Sequence, residues 1–541
     1  LNATTGEFNT SLGSLSMGAG VTTGDNNVAI GYQAGEDLTS GHSSVLIGSG
    51  AGQQLTTGIK NVAVGALALN AENTHGLNVA VGYGALYQLD AGTDAYNTAV
   101  GYSAGVTMTS GVNNTLVGGL AGSALTTGVG NVAIGYEALK TEDAHGKNVA
   151  VGYKALSIQN AGADGYNVAI GSSAGQVVTT GVQNTIIGGL AGDAITTGGY
   201  NTLMGVHAGG GLVEGTDNVA IGWSALKTEN AHGGNVAIGK EALKTLDAGA
   251  EGYNVAVGLR AGYLMTTGTH NTLVGGLAGD SMTTAVHNVA IGYNAMTAVT
   301  EGNTNIAIGR DALATNTVGD RNVAIGHEAL MTMNPTGDSD NYNVAVGYNA
   351  GKAVTTGAQN TILGGLAGDA LTTGSENIMI GYNAGTATTI ANNNVAIGIG
   401  ALATNVAADR NVAIGTQALT AMTLATTADH FNVAVGNKAG FAVTSGVNNT
   451  LLGASAGDAL TTGDNNIIIG KDAAASAVGV DNETVIGTAT TTNAIVYGLR
   501  KSVVATPTNV AAPRINHIYN FSDADGATVT LPDSGAGAYI G

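Results

Sequence analysis

The stretch Asn114-Thr-Leu-Val-Gly-Gly-Leu-Ala-Gly-Ser-Ala-Leu-Thr-Thr-Gly-Val-Gly130 decides the fold. Its seventeen residues hold two short runs of strand-favouring side chains, at 115–117 and 124–127. Between and after them lie Gly clusters that turn the chain, at 118–122 and 128–130. Asn131 then starts the phrase again as Asn-Val-Ala-Ile-Gly. The Gly that closes this phrase falls at Gly31, Gly48, Gly65 and Gly82 and is still in register at Gly453, Gly470 and Gly487. Of the 26 intervals, 21 are 17 residues long, three are 19 and two are 21. A looser copy occupies residues 9–13. Helical repeats need about 33–47 residues, so this unit is too short for a helix pair. The period predicts an all-β chain: a parallel β-solenoid, or β-roll, of about 27 rungs of 17 residues. Each rung is expected to carry two short strands and to bond to the next at about 4.8 Å.

Each repeated residue has a physical task. Gly at the end of the phrase permits positive φ or close approach of stacked backbones. The motif Asn (Asn61, Asn78, Asn97, Asn114, Asn131) tolerates the left-handed region at a corner, and its side-chain amides can stack as a ladder. The second and fourth positions, such as Val62 and Val64, share one strand face and are expected to fill the inside of the coil. The third, almost always Ala or Leu (Ala63, Ala80, Leu116, Leu203), is then expected outside. An outer apolar stripe of that length exceeds what monomers expose, which implies self-association along the rod.

Phrases such as Asn131-Val-Ala-Ile-Gly-Tyr-Glu-Ala-Leu139 and Asn360-Thr-Ile-Leu-Gly-Gly-Leu-Ala-Gly368 resemble the head repeats of trimeric autotransporter adhesins. They resemble still more the repeats of bacteriophage tail-fibre proteins. The resemblance covers residues 9–487 and implies a β-roll that forms an intimately packed homotrimer and presents an adhesive rod. The number three comes from the resemblance alone. What it implies is a non-enzymatic fibre shaft of a phage or virion appendage that attaches to a host cell surface. The alternative is a bacterial trimeric surface adhesin or extracellular filament, followed by a polysaccharide-degrading tailspike. The expected partners are a second and third copy of the chain, a host glycan or protein receptor, and other structural proteins of the virion or cell surface.

Three segments are expected: an entry with the loose rung over 1–30, the shaft over 31–487, and a C-terminal β cap or the start of a further domain over 488–541. In the last segment 515–521 and 527–531 read as strands. The chain begins at Leu1, as a piece of something longer would. The long intervals each insert residues that end in an aromatic before the motif Asn: Tyr96, Tyr166, Tyr253, Tyr342 and Phe431. These are the candidate surface-contact positions. Either they touch glycans or neighbouring fibres, or they cover a widened corner.

Composition narrows the chemistry. With 44% hydrophobic residues the chain is not of the disordered class, and with four Pro it is not collagen. The 17 Lys and Arg against 37 Asp and Glu leave no basic footprint for nucleic acid. No run of about 18 apolar residues spans a membrane. Gly118-Gly-Leu-Ala-Gly122 lacks the Lys-Ser/Thr ending of a phosphate loop. His75, His145 and His232 recur before Gly but lie 70 and 87 residues apart, and read as exposed corner residues. His270 and His287, 17 apart, are expected to stack on adjacent rungs in a solvated stripe with Tyr253, Thr304 and Arg321. Asp193, Asp280, Asp369 and Asp458 read as solubilising surface acids. No catalytic residue, cofactor or metal ligand is expected.

Overall fold

The computed structural model describes residues 5–18, 21–423 and 427–491. The strands expected at 515–521 and 527–531 lie outside them. The described chain is a parallel β-solenoid. Its main sheet has 28 strands of three residues, from Thr10–Leu12 through Val132–Ile134 to Thr484–Ile486. Each strand pairs in parallel with its equivalent one coil on, as Thr115 with Val132 and Leu116 with Ala133. The loose first copy pairs like the rest. At the usual strand spacing the stack is about 130 Å long. No helix among the described residues is long and apolar enough to cross a membrane.

Each coil has one strand in the main sheet rather than two. The segment expected as a second strand is a run of turns whose N–H groups nevertheless bond to the next coil: Gly122 to Ala138 O at 2.9 Å, Ala124 to Lys140 O at 3.0 Å. Thr126 reaches Asp143 O with its N–H and again with its hydroxyl at 2.8 Å. Among the described residues, strands outside the main sheet occur only at the corner after this segment, where each 21-residue coil meets the coil before it: Gly319–Asp320 pairs with Ser339–Asp340 and Ala408–Asp409 with Ala428–Asp429.

The face assignment is the reverse of the expected one. Ala63, Leu116 and Ala133, at the third motif position, are fully buried inside the coil. Val62, Val64, Val132 and Ile134 lie on the outer face and stay partly exposed. The motif Asn explains the inversion. It is buried in every regular coil, and its side chain points inward, so period two sends the third residue inward and the second and fourth outward. The Asn itself is not left-handed; that conformation belongs to the residue before it, such as Lys60 or Asn113.

The inward Asn side chains form a continuous ladder. The Asn131 N–H donates to Asn114 Oδ1 at 2.9 Å, Asn148 N–H donates to Asn131 Oδ1 at 3.1 Å, and Asn131 Nδ2 donates to His145 O at 3.1 Å. The chain of bonds crosses the 19- and 21-residue intervals unbroken, as from Asn97 to Asn78 and from Asn343 to Asn322. Ser44 is one rung of it, its hydroxyl accepting from Asn61 N–H.

The interior is narrow, and in no coil do the strand and the corner six residues later both carry a large side chain. Where the third motif position is Leu, Ile or Met, the residue six later is Gly, as Leu46 with Gly52, Leu116 with Gly122, Ile186 with Gly192 and Met379 with Gly385; near the end of the stack Ile468 has Ala474 instead. A Cβ on Gly122 would lie 2.9 Å from Leu116 Cδ2 and 2.7 Å from Leu125 Cδ1. Where the third position is Ala, a Leu can stand six later, as Leu69 after Ala63 and Leu139 after Ala133, in the same left-handed conformation. The phrase-ending Gly is more constrained still. Gly118 has φ +136, and a Cβ there would come 2.4 Å from the carbonyl oxygen of Gly135 in the next coil.

Two predictions follow from the interior. Asn131→Ala strands the Asn148 N–H and the His145 carbonyl, at about 1–3 kcal/mol for each buried unpaired group. Hydrogen exchange should accelerate in the coils flanking residue 131, and Asn131→Ser should do less harm, as the Ser44 rung shows. Leu116→Ala should cost about 2–5 kcal/mol in urea unfolding. Adding Gly122→Leu should recover part of that loss, whereas Gly122→Leu alone should destabilise.

Candidate functional site

Outside the Asn ladder the coils expose columns of side chains, each repeating once per coil. The five aromatics singled out from the sequence fall in one of these columns. Tyr96, Tyr166, Tyr253, Tyr342 and Phe431 all sit immediately before the motif Asn, left-handed at φ 46–51, and are exposed. They do not plug the widened corners, because the buried residue is the one before: Ala95, Asn341 and His430 are each less than 5% exposed. Three of the aromatics are flanked by a cation of the neighbouring coil. Lys147 Nζ lies 4.9 Å from the Tyr166 ring centroid and 2.8 Å from its hydroxyl. Arg321 stands over Tyr342, and Arg410 over Phe431, both at 5.6 Å. His270 stacks on His287 at 5.1 Å and packs against Tyr253 at 5.4 Å, as the sequence leads one to expect.

A second aromatic column, not foreseen from the sequence, follows the phrase-ending Gly. It contains Tyr32, Tyr83, Tyr102, Tyr136, Tyr153 and Trp223, all about half exposed. Tyr83 and Tyr102 stack at 5.6 Å, and Tyr136 and Tyr153 at 5.8 Å. The Gly-Tyr dipeptides were visible as a motif, but only the parallel register shows that they form a row. The outer aliphatic face runs beside these columns in the same register. Ile134, Ile170, Met204, Leu363 and Leu452 are among its exposed members.

The recurring histidines are not simple corner residues. In each case a Glu stands three positions earlier: Glu72 with His75, Glu142 with His145, Glu229 with His232. The three Glu side chains have no solvent exposure and occupy the inward slot that Leu125 fills in its own coil. In each the Glu Oε1 accepts from the His backbone N–H at 3.1–3.2 Å, with the ring Nδ1 at 3.9, 3.4 and 3.6 Å. A second acid completes each group: Asp90, Asp143 and Asp247 respectively. Each group brings its three candidate ligand atoms within 4.8 Å of one another. The signal, Glu-x-x-His repeated three times, was in the sequence, but nothing there marked the Glu as buried.

Burial pushes the Glu72 carboxyl up to about 7, with Asp90 adding repulsion against the backbone N–H donors that pull it down. Burial also raises Glu142, beside His145 and Asp143, and Glu229, beside His232 and Asp247. Asp193 and Asp280 are partly buried between coils and raised for the same reason, so they are less exposed than expected. Arg260 lies 3.4 Å from Asp280. Asp369 accepts from Thr386 Oγ1 at 2.6 Å. No family model matches the chain, and no curated protein matches it either.

A carboxyl whose folded pKa is raised holds its proton where the unfolded chain has lost it, so its contribution to stability falls as pH rises through that window. For Glu72 the window runs from 4.5 to about 7. In metal-free buffer the triple variant Glu72→Gln, Glu142→Gln, Glu229→Gln should therefore match the parent in urea unfolding at pH 4. At pH 8 it should be the more stable of the two.

Proposed function

We propose that the chain is the shaft of a non-enzymatic adhesive fibre, a phage or virion appendage that attaches to a host cell surface, and that it works as a homotrimer. The observation that carries this reading is the outer face of the 28-stranded sheet. At the second and fourth motif positions it presents two aliphatic side chains per coil, partly exposed and in register from end to end. A stripe of that length is far larger than the few hundred Å² that a monomer usually leaves open. Identical copies cover it coil by coil, because each stripe repeats at the same spacing as its neighbour's. The residues of the seam are thus Val62 and Val64 and their equivalents, not the Ala63 series.

The rest of the surface fits an attachment role. The Tyr and Trp row and the Tyr96–Phe431 column offer flat rings, most with polar edges, the chemistry that stacks on sugar faces and bonds their hydroxyls. The net charge of −20 keeps bundled rods apart in solution. The depressions between coils are shallow: one of about 300 Å³ is lined by Thr23, Asp25, Ser40 and His42, and one of about 360 Å³ lies beside Tyr166 and Gln183.

Sedimentation equilibrium tests the assembly. The expected mass is three times the 53.0 kDa of the chain. Replacing Val132, Ile134, Val149 and Val151 by Lys, and the matching pairs of the four flanking coils, should weaken the trimer while circular dichroism stays unchanged. A parent protein that sediments as a monomer would refute the reading. Attachment is tested separately on a glycan array, where Tyr136→Ala with Tyr153→Ala should lower the signal of any ligand bound by that row.

A further inference from the structure

The three buried Glu residues pose a question that the stacking of coils does not answer. The inward slot they occupy needs no charge. Leu125, Met108 and Val178 fill it elsewhere with apolar side chains. Where the corner wants a polar cap, Asn316 and Asn405 supply a neutral one. Asn316 Oδ1 accepts from Gly319 N–H at 2.9 Å, and its Nδ2 donates to Gly319 O at 2.8 Å. Asn405 does the same with Ala408. Glu repeats only half of this arrangement, accepting from the N–H three residues on. It leaves Oε2 of Glu72 and of Glu142 buried with no hydrogen-bond partner. In the third corner Oε2 accepts only a 3.3 Å bond from Ala248 N–H.

Glu enters the slot three times, and each time His stands three residues later. No other coil has His at that position. Each time, too, a second acid lies against the pair. In two corners it comes from 18 residues on, as Asp90 and Asp247. In the third that position is Asn160, and Asp143 next to Glu142 supplies the acid instead. The carboxylates of these groups form no ion pair with Lys or Arg among the described residues. Nδ1 of His145 and of His232 is buried without a hydrogen-bond partner, and Nδ1 of His75 shares a 2.9 Å hydrogen bond with Thr74 Oγ1 that an ion would displace. The Oε1 to Nδ1 separations of 3.4–3.9 Å are too long for a hydrogen bond. They are close to the edge of about 3.4 Å between two donors on one tetrahedral ion with bonds of about 2.0–2.1 Å.

We infer that each Glu–His–Asp corner binds one divalent transition-metal ion of the zinc type, three per chain. One imidazole nitrogen and two carboxylates suit zinc and leave a fourth position for water, on the side where the His is partly open to solvent. The ion neutralises the buried Glu and ties a turn to the acid beside it, which in the first and third corners belongs to the next coil. A superficially similar group, Asp311, His327 and Glu328, lacks this need: Arg310 sits 3.0 Å from Asp311 and Lys352 2.5 Å from Glu328.

The test uses the full chain, stripped with chelator, loaded with zinc alone and desalted. Elemental analysis should return three zinc ions per chain. His75→Gln, His145→Gln and His232→Gln should each remove one, and the triple variant should remove all three. Cobalt substituted for zinc should give the visible bands of a four-coordinate site in the parent and none in the triple variant. Circular dichroism establishes that the variants fold; the second-acid series Asp90→Asn, Asp143→Asn, Asp247→Asn leaves the inward slot untouched and should weaken zinc binding at the corresponding corner. Fewer than three zinc ions on the parent, or binding that survives the triple variant, overturns the inference. Both results are independent of whether the chain trimerises.

Discussion

The bond between one Asn side chain and the backbone of the next coil fixes almost everything else in this molecule. Because the Asn131 side chain must reach inward to the Asn148 N–H and to the corner at His145, its own strand can point only Ala133 inward, and Val132 and Ile134 are forced out. The ladder therefore sets which face is core and which face is available to partners. It also fixes the register, since a slip of one residue would carry the amides out of the coil and leave buried N–H groups without acceptors. Insertions are tolerated only between the Thr-Thr corner and the Asn, where extra residues loop away and the ladder passes them by.

With the amide occupying part of the interior, little room is left. The strand contributes Ala, or else it contributes Leu and the corner six residues later gives up its side chain, as in the pair Leu116 and Gly122. The two solutions recur along the chain without disturbing the pitch. Between them stand coils with Ala on the strand and Gly at the corner, such as Ala99 with Gly105, where Leu86 and Leu116 of the neighbouring coils reach into the space. Left-handed backbone at Leu69 or Leu139 is the strain accepted where the strand contributes Ala and the corner keeps its Leu.

How far the sequence could be read follows from the same facts. Coil length, parallel stacking and the Asn ladder were legible, because a strict period of 17 admits few folds. The faces were not. Val and Ile look like core and Ala does not, and the reading went with size. It missed that an inward Asn fixes the parity, and that Leu arriving from the corner fills the core where the strand supplies only Ala. The expected second strand failed for a related reason. Residues 124–127 bond to the next coil as a strand would, but do so from turns and bends, which composition does not distinguish. The columns before the motif Asn and after the motif Gly were partly visible as recurrent aromatics. The Glu–His–Asp corners were not, since burial of the Glu depends on the slot it inherits from Leu.

A fold this repetitive places its information in departures from the repeat. Any column recurs at about 4.8 Å, so a contact made by one coil is offered again by the next. On the reading of the chain as an attachment fibre, the inserted aromatics set a longer spacing. Tyr96 and Tyr166 are four coils apart and Tyr166 and Tyr253 five, which is about 19 and 24 Å along the stack. Contacts at those intervals on a stiff support engage a surface together or not at all. A stiff rod therefore gains more from several weak rings than a flexible one, because no linker entropy is lost when the second ring follows the first. Stiffness, and hence the Asn ladder, is then the property on which adhesion itself rests.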